Sequence, residues 1–311
     1  MSGAAASIAL SRNVAGRQRR PVVRSIRILR DATADELSLA VQRNQAEWIR
    51  FEGLHLSDVE LHDDRDVTWV CSDVTGRPNV VAMALFAAER ADARIDQIVR
   101  RYQQRGSSTV WWVGPNASPA DLGKRLRNAG FHCFKHFPGM ALELRRIVKP
   151  DRVPPKLKLA RVTDFSIFDE REHPYFGPMT TERRKNFLEG ERLLCAVRPL
   201  RAFAFVASID GEPLGHALVF LGAGVAGVFD VGVVRRARGR GIGRAVTLAA
   251  VSHAKRLGYR YAVLQASGEG EQVYRKIGFE EVCRISLWFH SRRHHAQDAP
   301  LTPILSRWVG E

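Results

Sequence analysis

One stretch of the sequence, residues 228–257, constrains the fold more than any other. It begins with an apolar, β-rich run that is long enough for a strand and too short for a buried helix. It ends with apolar residues at helical spacing, namely Ile242, Val246, Ala249, Ala250 and Leu257. Between these parts lie Gly239, Gly241 and Gly243 among five arginines. A strand that leads through glycines into a helix presents free backbone N–H groups at the positive end of the helix dipole, which is a geometry that binds phosphate.

The spacing within this loop distinguishes between kinds of phosphate site. A dinucleotide fingerprint requires glycine where Arg244 stands and an acidic residue about 20 positions later, and a nucleotide P-loop requires Gly-Lys-Ser/Thr. The sequence has neither pattern. It does have Arg-x-x-Gly-x-Gly, formed by Arg238, Gly241 and Gly243 after a predicted strand. In this motif the sequence resembles the GNAT superfamily of acyl-CoA-dependent N-acyltransferases, whose pyrophosphate loop reads Arg/Gln-x-x-Gly-x-Gly/Ala.

The same loop, taken alone, would also suit an arginine-glycine arm that binds nucleic acid. Such arms have low-complexity sequences and lack a flanking strand and an amphipathic helix. The context of the loop therefore favours a cofactor site over a nucleic-acid arm.

Charge and cysteine usage limit the function further. The formal net charge of +15 and the pI near 10.4 predict affinity for anions: CoA phosphates, acidic substrates, or nucleic acid without sequence preference. The four cysteines are scattered without paired spacing, so we expect neither a metal site nor a disulfide framework, and a reducing cytoplasm fits. No apolar run approaches the roughly 18 residues that a bilayer-spanning helix needs, so we expect no membrane partner.

Changes in composition divide the chain into five parts. Residues 1–30 are rich in arginine and lack acidic residues, which predicts a disordered basic tail and also resembles an organelle transit peptide. Residues 31–147 have a globular pattern. Residues 148–157 are rich in proline and charge and are the predicted linker. Residues 158–290 form the second globular part, and residues 291–311 form a basic C-terminal tail.

Hydrophobic periodicity and turn residues predict the same succession of elements in both parts. The first part is predicted to have helices over 34–51, 91–104 and 116–126, strands over 68–72, 80–86 and 109–113, and a strand pair around 132–144. The second is predicted to have helices over 182–189 and through Tyr274, a hairpin of strands 203–209 and 213–221, and strands over 225–234, 261–265 and 281–289.

A short repeat supports this parallel. Residues 122–131 and 271–279 each follow a helix and end in Gly-Phe before a strand. The simplest interpretation is an α/β protein with two tandem GNAT-like domains, each a mixed, largely antiparallel central sheet flanked by helices. The first copy has no glycine across 89–102 and has Leu126 where the second has Tyr274. We therefore interpret it as a degenerate copy that kept the fold and lost the cofactor loop. The resemblance is strong over about 158–290 and weak over about 33–147.

The resemblance implies that acetyl-CoA is the acyl donor. In relatives the loop holds the pyrophosphate through backbone N–H groups, and the strand over 230–234 splays from the strand over 261–265. The pantetheine arm lies in that gap, with a backbone N–H near Val233 facing the thioester oxygen. Relatives often have asparagine near Ser267, so that contact departs from the family pattern. The implied cofactor-binding residues are Val231, Val233, Arg238, Gly239, Arg240, Gly241, Ile242, Gly243, Arg244, Gln265 and Ser267.

The resemblance also suggests catalytic residues. Tyr274 lies four residues before Gly278, where the family places a tyrosine that protonates the CoA sulfur; the alternative is a core tyrosine on an amphipathic helix. Asp230 lies on the strand before the loop, where many relatives have glutamate, and its carboxylate is a candidate to accept the amine proton or to bind the ammonium group. Candidate acceptor-binding residues on a proline-rich loop are Glu172, His173 and Tyr175.

These observations predict an acetyl-CoA-dependent N-acetyltransferase that moves an acetyl group directly to a primary amine of a small molecule or peptide. Two alternatives stay open: a basic protein associated with nucleic acid through its tails, which is less favoured, and a CoA-binding regulator without turnover. The sequence does not identify the amine or the oligomeric state.

Overall fold

The computed structural model describes residues 27–150, 153–168 and 180–290. We call residues 27–150 the first half and residues 153–290 the second half. The candidate acceptor residues Glu172, His173 and Tyr175 lie outside the described residues. So do residues 1–26 of the predicted N-terminal tail and the whole predicted C-terminal tail. The elements of the first half are α1 (Ala34–His55), β1 (Glu60–Asp63), β2 (Thr68–Cys71), β3 (Val80–Ala82), α2 (Ala91–Gln104), β4 (Thr109–Val113), α3 (Leu122–Asn128) and β5 (His132–Glu143). Those of the second half are β6 (Lys158–Arg161), α4 (Thr181–Ala196), β7 (Ala202–Ile209), β8 (Glu212–Gly222), β9 (Val225–Val233), α5 (Ile242–Arg256), β10 (Tyr261–Gln265), α6 (Gly268–Arg275) and β11 (Glu280–His290).

Local sequence signals account for many of these boundaries. Helix α1 begins with a capping box, in which the Thr33 side chain accepts from the Glu36 N–H and the Glu36 carboxylate accepts from the Thr33 N–H. The β7–β8 hairpin turns through Asp210 and Gly211, both with positive φ, as a tight hairpin turn requires. Helix α5 ends before Gly258, which has a φ of 88°.

The eleven strands of the described residues belong to one sheet, in the order β1-β2-β3-β4-β11-β5-β10-β9-β8-β7-β6. The centre of this sheet interleaves the two halves. Strand β5 of the first half lies between β11 and β10 of the second half, and β11 lies between β4 and β5 of the first half. The predicted linker at 148–157 therefore follows β5 in the sequence without marking a division of the sheet.

Strands β5 and β11 form an antiparallel pair at the centre of the sheet. The strands on either side of this pair follow the same succession of antiparallel and parallel pairings. On one side β5 pairs antiparallel with β10, which is parallel to β9, which is antiparallel to β8. On the other side β11 pairs antiparallel with β4, which is parallel to β3, which is antiparallel to β2. The sheet is thus mixed and mostly antiparallel, with the same strand pattern on each side of its centre.

Helices cover both faces of the sheet, as predicted for an α/β fold. Helix α1 packs across both halves on one face. Its Trp48 ring lies 5.1 Å from the Phe220 ring and 5.4 Å from the Phe229 ring, and the Asn44 side-chain amide donates to the Gly222 carbonyl at 2.9 Å. Helices α2 and α3 pack on the opposite face in the first half, and α5 does so in the second half. A helix of the first half therefore forms part of the second half's core.

Several elements differ between the prediction and the structure: strand β6 (Lys158–Arg161) was not predicted, helix α4 continues to Ala196 beyond the predicted end at 189, and strand β3 ends at Ala82 before the predicted end at 86. Strand β1 was not predicted, because its sequence Glu-Leu-His-Asp is short and mostly polar. The helix predicted over 116–126 begins later, at Leu122. The strand pair predicted around 132–144 is a single strand of 12 residues. It stays extended through Pro138 and Gly139 because β11 and β10 pair with its two edges, and those partners are distant in sequence. Among the described helices, none combines the length and the apolar character needed to cross a bilayer.

Candidate active site

Strands β9 and β10 separate to leave a gap that we call the strand gap. Their parallel pairing covers only Ala226 with Ala262 and Gly227 with Val263, although β9 continues to Val233 and β10 to Gln265. Beyond that pairing, β9 is bonded to β8 along its other edge, and β10 is bonded to β5. The edges that face each other across the strand gap therefore present backbone groups that can pair with an extended ligand.

A β-bulge at Asp230 shapes the near wall of this gap. Asp230 has a φ of 50°, and the register between β8 and β9 shifts between the pairs Leu218–Phe229 and His216–Gly232. A bulge bends its strand and changes the direction of the side chains that follow. The Asp230 side chain is buried, so the bulge holds a carboxyl group inside the fold beside the strand gap.

A buried histidine and a buried glutamate lie beneath the bulge. His216 Nδ1 donates to the Asp230 carbonyl at 3.0 Å, and His216 Nε2 lies 3.4 Å from Glu191 Oε2. Burial acts to lower the pKa of His216, but the Glu191 carboxylate and the Asp230 carbonyl outweigh it, and the pKa is raised above its ordinary value. The pair connects helix α4 to the bulged residue of β9.

The loop after β9 has the conformation that its glycines allow. Gly239 and Gly241 have φ values of 76° and 82°, which side chains with a Cβ rarely adopt. Apart from the adjacent residues of the chain, no described heavy atom lies within 4 Å of the place where a Cβ would stand on either residue. Gly241 is the N-cap of α5, and no side chain of the described residues caps it. The first N–H groups of α5 therefore have no side-chain cap from the described residues at the positive end of the helix.

The arginines of the loop have different surroundings. Arg238 donates from Nε to the Val233 carbonyl at 3.3 Å and forms an ion pair with Glu269 at 3.2 Å. Arg244 donates to the Lys276 carbonyl at 2.8 Å and to two carbonyls of residues 148–149. Arg240 is exposed to solvent. Arg238 and Arg244 thus hold the loop against α6 and the residues after β5, whereas Arg240 projects from the surface.

Tyr274 lies on α6, beyond the end of β10. Its ring packs 5.9 Å from the Phe279 ring, and burial raises the pKa of its hydroxyl well above its usual value. A Cβ on Gly270 would lie 2.9 Å from Tyr274 Cε2. The Tyr274 ring therefore takes the space that a side chain at position 270 would need. Ser267 caps α6, with its hydroxyl accepting from the Gly270 N–H at 3.3 Å.

The structure brings most of the predicted cofactor residues to one edge of the sheet. Because β9 and β10 are parallel neighbours, the loops that follow them lie at the same edge. The Arg238–Glu269 ion pair joins the loop after β9 to the first turn of α6, which follows β10. Val231 and Val233 pack in the same apolar cluster as Ile242 and Tyr274. Gln265 differs, because its side-chain amide donates to the Val41 carbonyl of α1 at 3.5 Å.

Sequence reasoning did not identify His216, Glu191 or Gly270. A histidine within the apolar run 213–221 was a signal for a buried polar group, whereas the pairing with Glu191 depends on tertiary structure. Among the described residues, no group of three or more His, Cys, Asp or Glu side chains is arranged to hold a metal ion.

Comparisons with known proteins agree with this geometry. Residues 165–279 match the family model described as the acetyltransferase (GNAT) family. A search of curated proteins found no match. Among solved structures, a GCN5-related N-acetyltransferase from Kribbella flavida has 17% sequence identity and a TM-score of 0.62, covering 82% of this chain and 97% of that chain. A second, from Sphaerobacter thermophilus, has 17% identity and a TM-score of 0.53, covering 88% and 97%.

A tandem GNAT protein from the clavulanic acid biosynthesis pathway is also similar, with 13% identity and a TM-score of 0.54. That likeness covers 85% of this chain and 96% of the other chain. At these identities the solved structures show a shared fold, and the family match covers the segment that contains β7 to β10 and the glycine loop.

Proposed function

Starting from a GNAT acetyltransferase domain at residues 165–279, we propose that the protein is an acetyl-CoA-dependent N-acetyltransferase that transfers the acetyl group directly to a primary amine. The observation that carries this proposal is the strand gap ending at a glycine loop and an uncapped helix N-terminus. CoA has an extended arm with amide groups and a pyrophosphate at one end of that arm. The arm matches the strand gap, and the pyrophosphate matches the glycine loop and the helix N-terminus.

The residues present fit this donor. The N–H groups at the start of α5 bind the pyrophosphate, and Gly239 and Gly241 let the backbone approach it closely. The open edge of β9 at Val231 and Val233 pairs with the amides of the pantetheine arm. A backbone N–H near Val233 is the oxyanion donor. Arg240 adds positive charge that solvent and salt screen.

Two buried groups supply the proton transfers. Asp230 accepts the proton that the amine loses as its nitrogen attacks the thioester carbon. Tyr274 donates a proton to the sulfur as the carbon–sulfur bond breaks. Its raised pKa keeps it protonated throughout the neutral range, so that it acts as an acid. His216 and Glu191 act indirectly, because His216 binds the Asp230 backbone and fixes the bulge.

We further propose that the first half is a degenerate copy of the second. The repeated order of strand pairings supports this interpretation. The turn before α2 has no glycine, and Arg90 at its N-cap has a helical backbone conformation. The first half therefore lacks the open loop that the proposed donor site needs, and we expect acetyl-CoA to bind the second half.

A binding and turnover experiment tests this function. Calorimetric titration of the full chain with acetyl-CoA is expected to show one site, and a panel of primary amines is expected to include acceptors that release free CoA. Binding without CoA release from any amine would support a CoA-binding regulator. No binding of acetyl-CoA to the folded chain would contradict the proposal.

A further inference from the structure

Arg77, in the turn that joins β2 to β3, connects the first half to helix α4 of the second half. Its guanidinium donates through Nε to both carboxylate oxygens of Asp58 at 2.9 Å. On the α4 side it donates through Nη1 to the Asn186 carbonyl, and its Nη2 lies 3.9 Å from Glu189 Oε2. The Asn186 side-chain amide donates in return to the Thr75 carbonyl at 2.9 Å. Because only 5% of its side chain is exposed, Arg77 is an almost fully buried bridge between the two halves.

A glycine in the middle of α4 makes room for this guanidinium. Gly190 is buried, and a Cβ at this position would lie 2.7 Å from Arg77 Nη1. Glycine inside a helix destabilises the helix relative to alanine. Here the missing side chain leaves the Asn186 carbonyl, one turn earlier, open to a donor from outside the helix. The close approach of Arg77 to the backbone of α4 therefore accounts for a glycine at 190.

The residue after this glycine is Glu191, the partner of His216. Glu191 Oε2 lies 3.4 Å from His216 Nε2, and His216 Nδ1 donates to the Asp230 carbonyl at the bulge of β9. The same turn of α4 thus contacts both Arg77 and His216. A displacement of this turn would move Glu191 away from His216 and loosen the hold of His216 on the bulge.

We propose that Arg77 is a positioning residue for acetyl transfer, because it fixes the turn of α4 that carries Glu191 and thereby holds Asp230 in place through His216. This inference rests on the proposed function, in which Asp230 accepts the amine proton. A guanidinium suits the role, since it is planar and its N–H groups bind the Asp58 carboxylate and the α4 backbone in fixed directions. The first half then takes part in catalysis from outside the donor site.

Arg77→Met tests the proposal, because it removes the guanidinium and keeps an apolar stem. The first measurement is the NMR titration of His216 in the full chain without substrate. Burial opposes the charge on His216, whereas Glu191 and Asp230, the ionisable described residues that act on it, favour the charge more strongly and raise the pKa. Loss of a positive charge at 77 would by itself raise the titration midpoint further. We expect the midpoint to fall instead, because Glu191 moves away.

The second measurement is steady-state kinetics with an amine acceptor. In Arg77→Met we expect kcat to fall by about 10- to 100-fold, as it does when a catalytic group is misplaced. Acetyl-CoA affinity in calorimetric titration should be unchanged. Arg94→Met is the matched control, since Arg94 binds Asp64 and Asp66, which both lie in the first half. This control should leave the His216 midpoint and kcat at their wild-type values.

Gly190→Ala gives an independent variant that keeps the charge of Arg77. Alanine favours the helix, but its Cβ displaces the guanidinium from the Asn186 carbonyl. We expect the same fall in the His216 midpoint and in kcat as in Arg77→Met. The double variant should match Arg77→Met alone, because both changes break the same contact. If Arg77→Met does not fold, Gly190→Ala decides the question.

An unchanged or higher His216 midpoint in either folded variant would overturn the proposal. So would a wild-type kcat in a variant whose midpoint has fallen, or equal effects in Arg94→Met. The His216 titration needs neither donor nor acceptor, whereas acetyl-CoA binding and CoA release by the wild type test the proposed function. Failure of one is therefore distinguishable from failure of the other.

Discussion

His216 and Glu191 face each other inside the second half, with 3.4 Å between His216 Nε2 and Glu191 Oε2 and almost no exposed surface on either side chain. Through Nδ1, the same imidazole donates to the carbonyl of Asp230. Helix α4 is thereby connected to the bulge that forms one wall of the strand gap. A change in the protonation of His216 consequently acts on both the stability of the fold and the position of Asp230.

Replacing Glu191 with Gln tests this connection. The pKa of His216 is raised in the folded protein, so the stabilisation from its charged form is complete below the ordinary histidine pKa of about 6.5. It is lost as pH rises through the higher folded-state value. Glu191→Gln should therefore reduce the free energy of unfolding by about 3 to 5 kcal/mol at low pH and by less at high pH. Urea unfolding of both proteins across this range measures the difference, and a loss independent of pH would contradict the charged pair.

Replacing Gly241 with Ala tests the glycine loop, with Gly258→Ala as a control at the other end of α5. Both glycines have a positive φ, 82° and 88°, and no described atom crowds a Cβ at either position. Each change should cost about 1 kcal/mol of stability through backbone strain. Only Gly241→Ala should weaken acetyl-CoA binding in calorimetric titration. Equal affinities in the two folded variants would show that the loop does not hold the donor.

Replacing Tyr274 with Phe removes the proposed acid and keeps the ring that packs on Phe279. A positioned acid typically contributes about 10²- to 10⁴-fold to the rate, so kcat should fall by that order while acetyl-CoA affinity is preserved. Tyr102→Phe is the control, because the Tyr102 hydroxyl donates to the Val70 carbonyl at 2.6 Å in the first half. That variant should lose about 1 kcal/mol of stability and keep its kcat.

The pH profile gives a second test of Tyr274. Burial raises its pKa, so the hydroxyl stays protonated beyond the ordinary tyrosine value of about 10. The rate should not decline through loss of this proton until pH exceeds that value. If Tyr274→Phe and the wild type have the same kcat across the profile, the tyrosine serves only the core.

Replacing Asp230 with Asn tests the proposed base. Asparagine tolerates the left-handed backbone conformation that Asp230 adopts, so the bulge should persist. The control is Asp210→Asn in the β7–β8 turn, where φ is also 50° and the side chain is exposed. We expect kcat/KM to fall by about 10²-fold or more for Asp230→Asn and to be unchanged for Asp210→Asn. Equal kcat/KM values in the two variants would exclude Asp230 as the base.

Separating the halves tests the sheet order. A chain that begins at residue 153 lacks β5, which pairs with both β10 and β11. We expect this fragment to be unfolded by circular dichroism and to regain structure when residues 1–150 are expressed with it. A fragment that folds alone and binds acetyl-CoA would show that the second half is an independent domain.

The elements that the sequence predicted best are those with local signals. Residues 91–104, 109–113 and 261–265 have the predicted bounds, because apolar periodicity and turn residues define them without reference to distant strands. Strand β5 was not predicted as one strand, since its partners are contributed by the other half. The Arg-x-x-Gly-x-Gly motif placed the loop correctly on a strand–helix junction.

The electrostatics of the site depended on tertiary structure. Glu191 and His216 lie on different elements, and their contact follows from how α4 packs on the sheet. The raised pKa of Tyr274 follows from burial, which the sequence pattern indicates only in part. Motifs fixed by backbone geometry were therefore predictable, whereas pairs formed by packing were not.

The position of β11 also sets an order for assembly during synthesis. Translation completes this strand after every other described strand, yet its place is in the middle of the sheet, between β4 and β5. Until β11 has been synthesised, β4 and β5 therefore lack the strand that joins them. The sheet can close only once residues 280–290 have emerged from the exit tunnel. In a nascent chain stopped before that point, the sheet is incomplete in both halves. Chaperones would have to shield its unpaired strand edges.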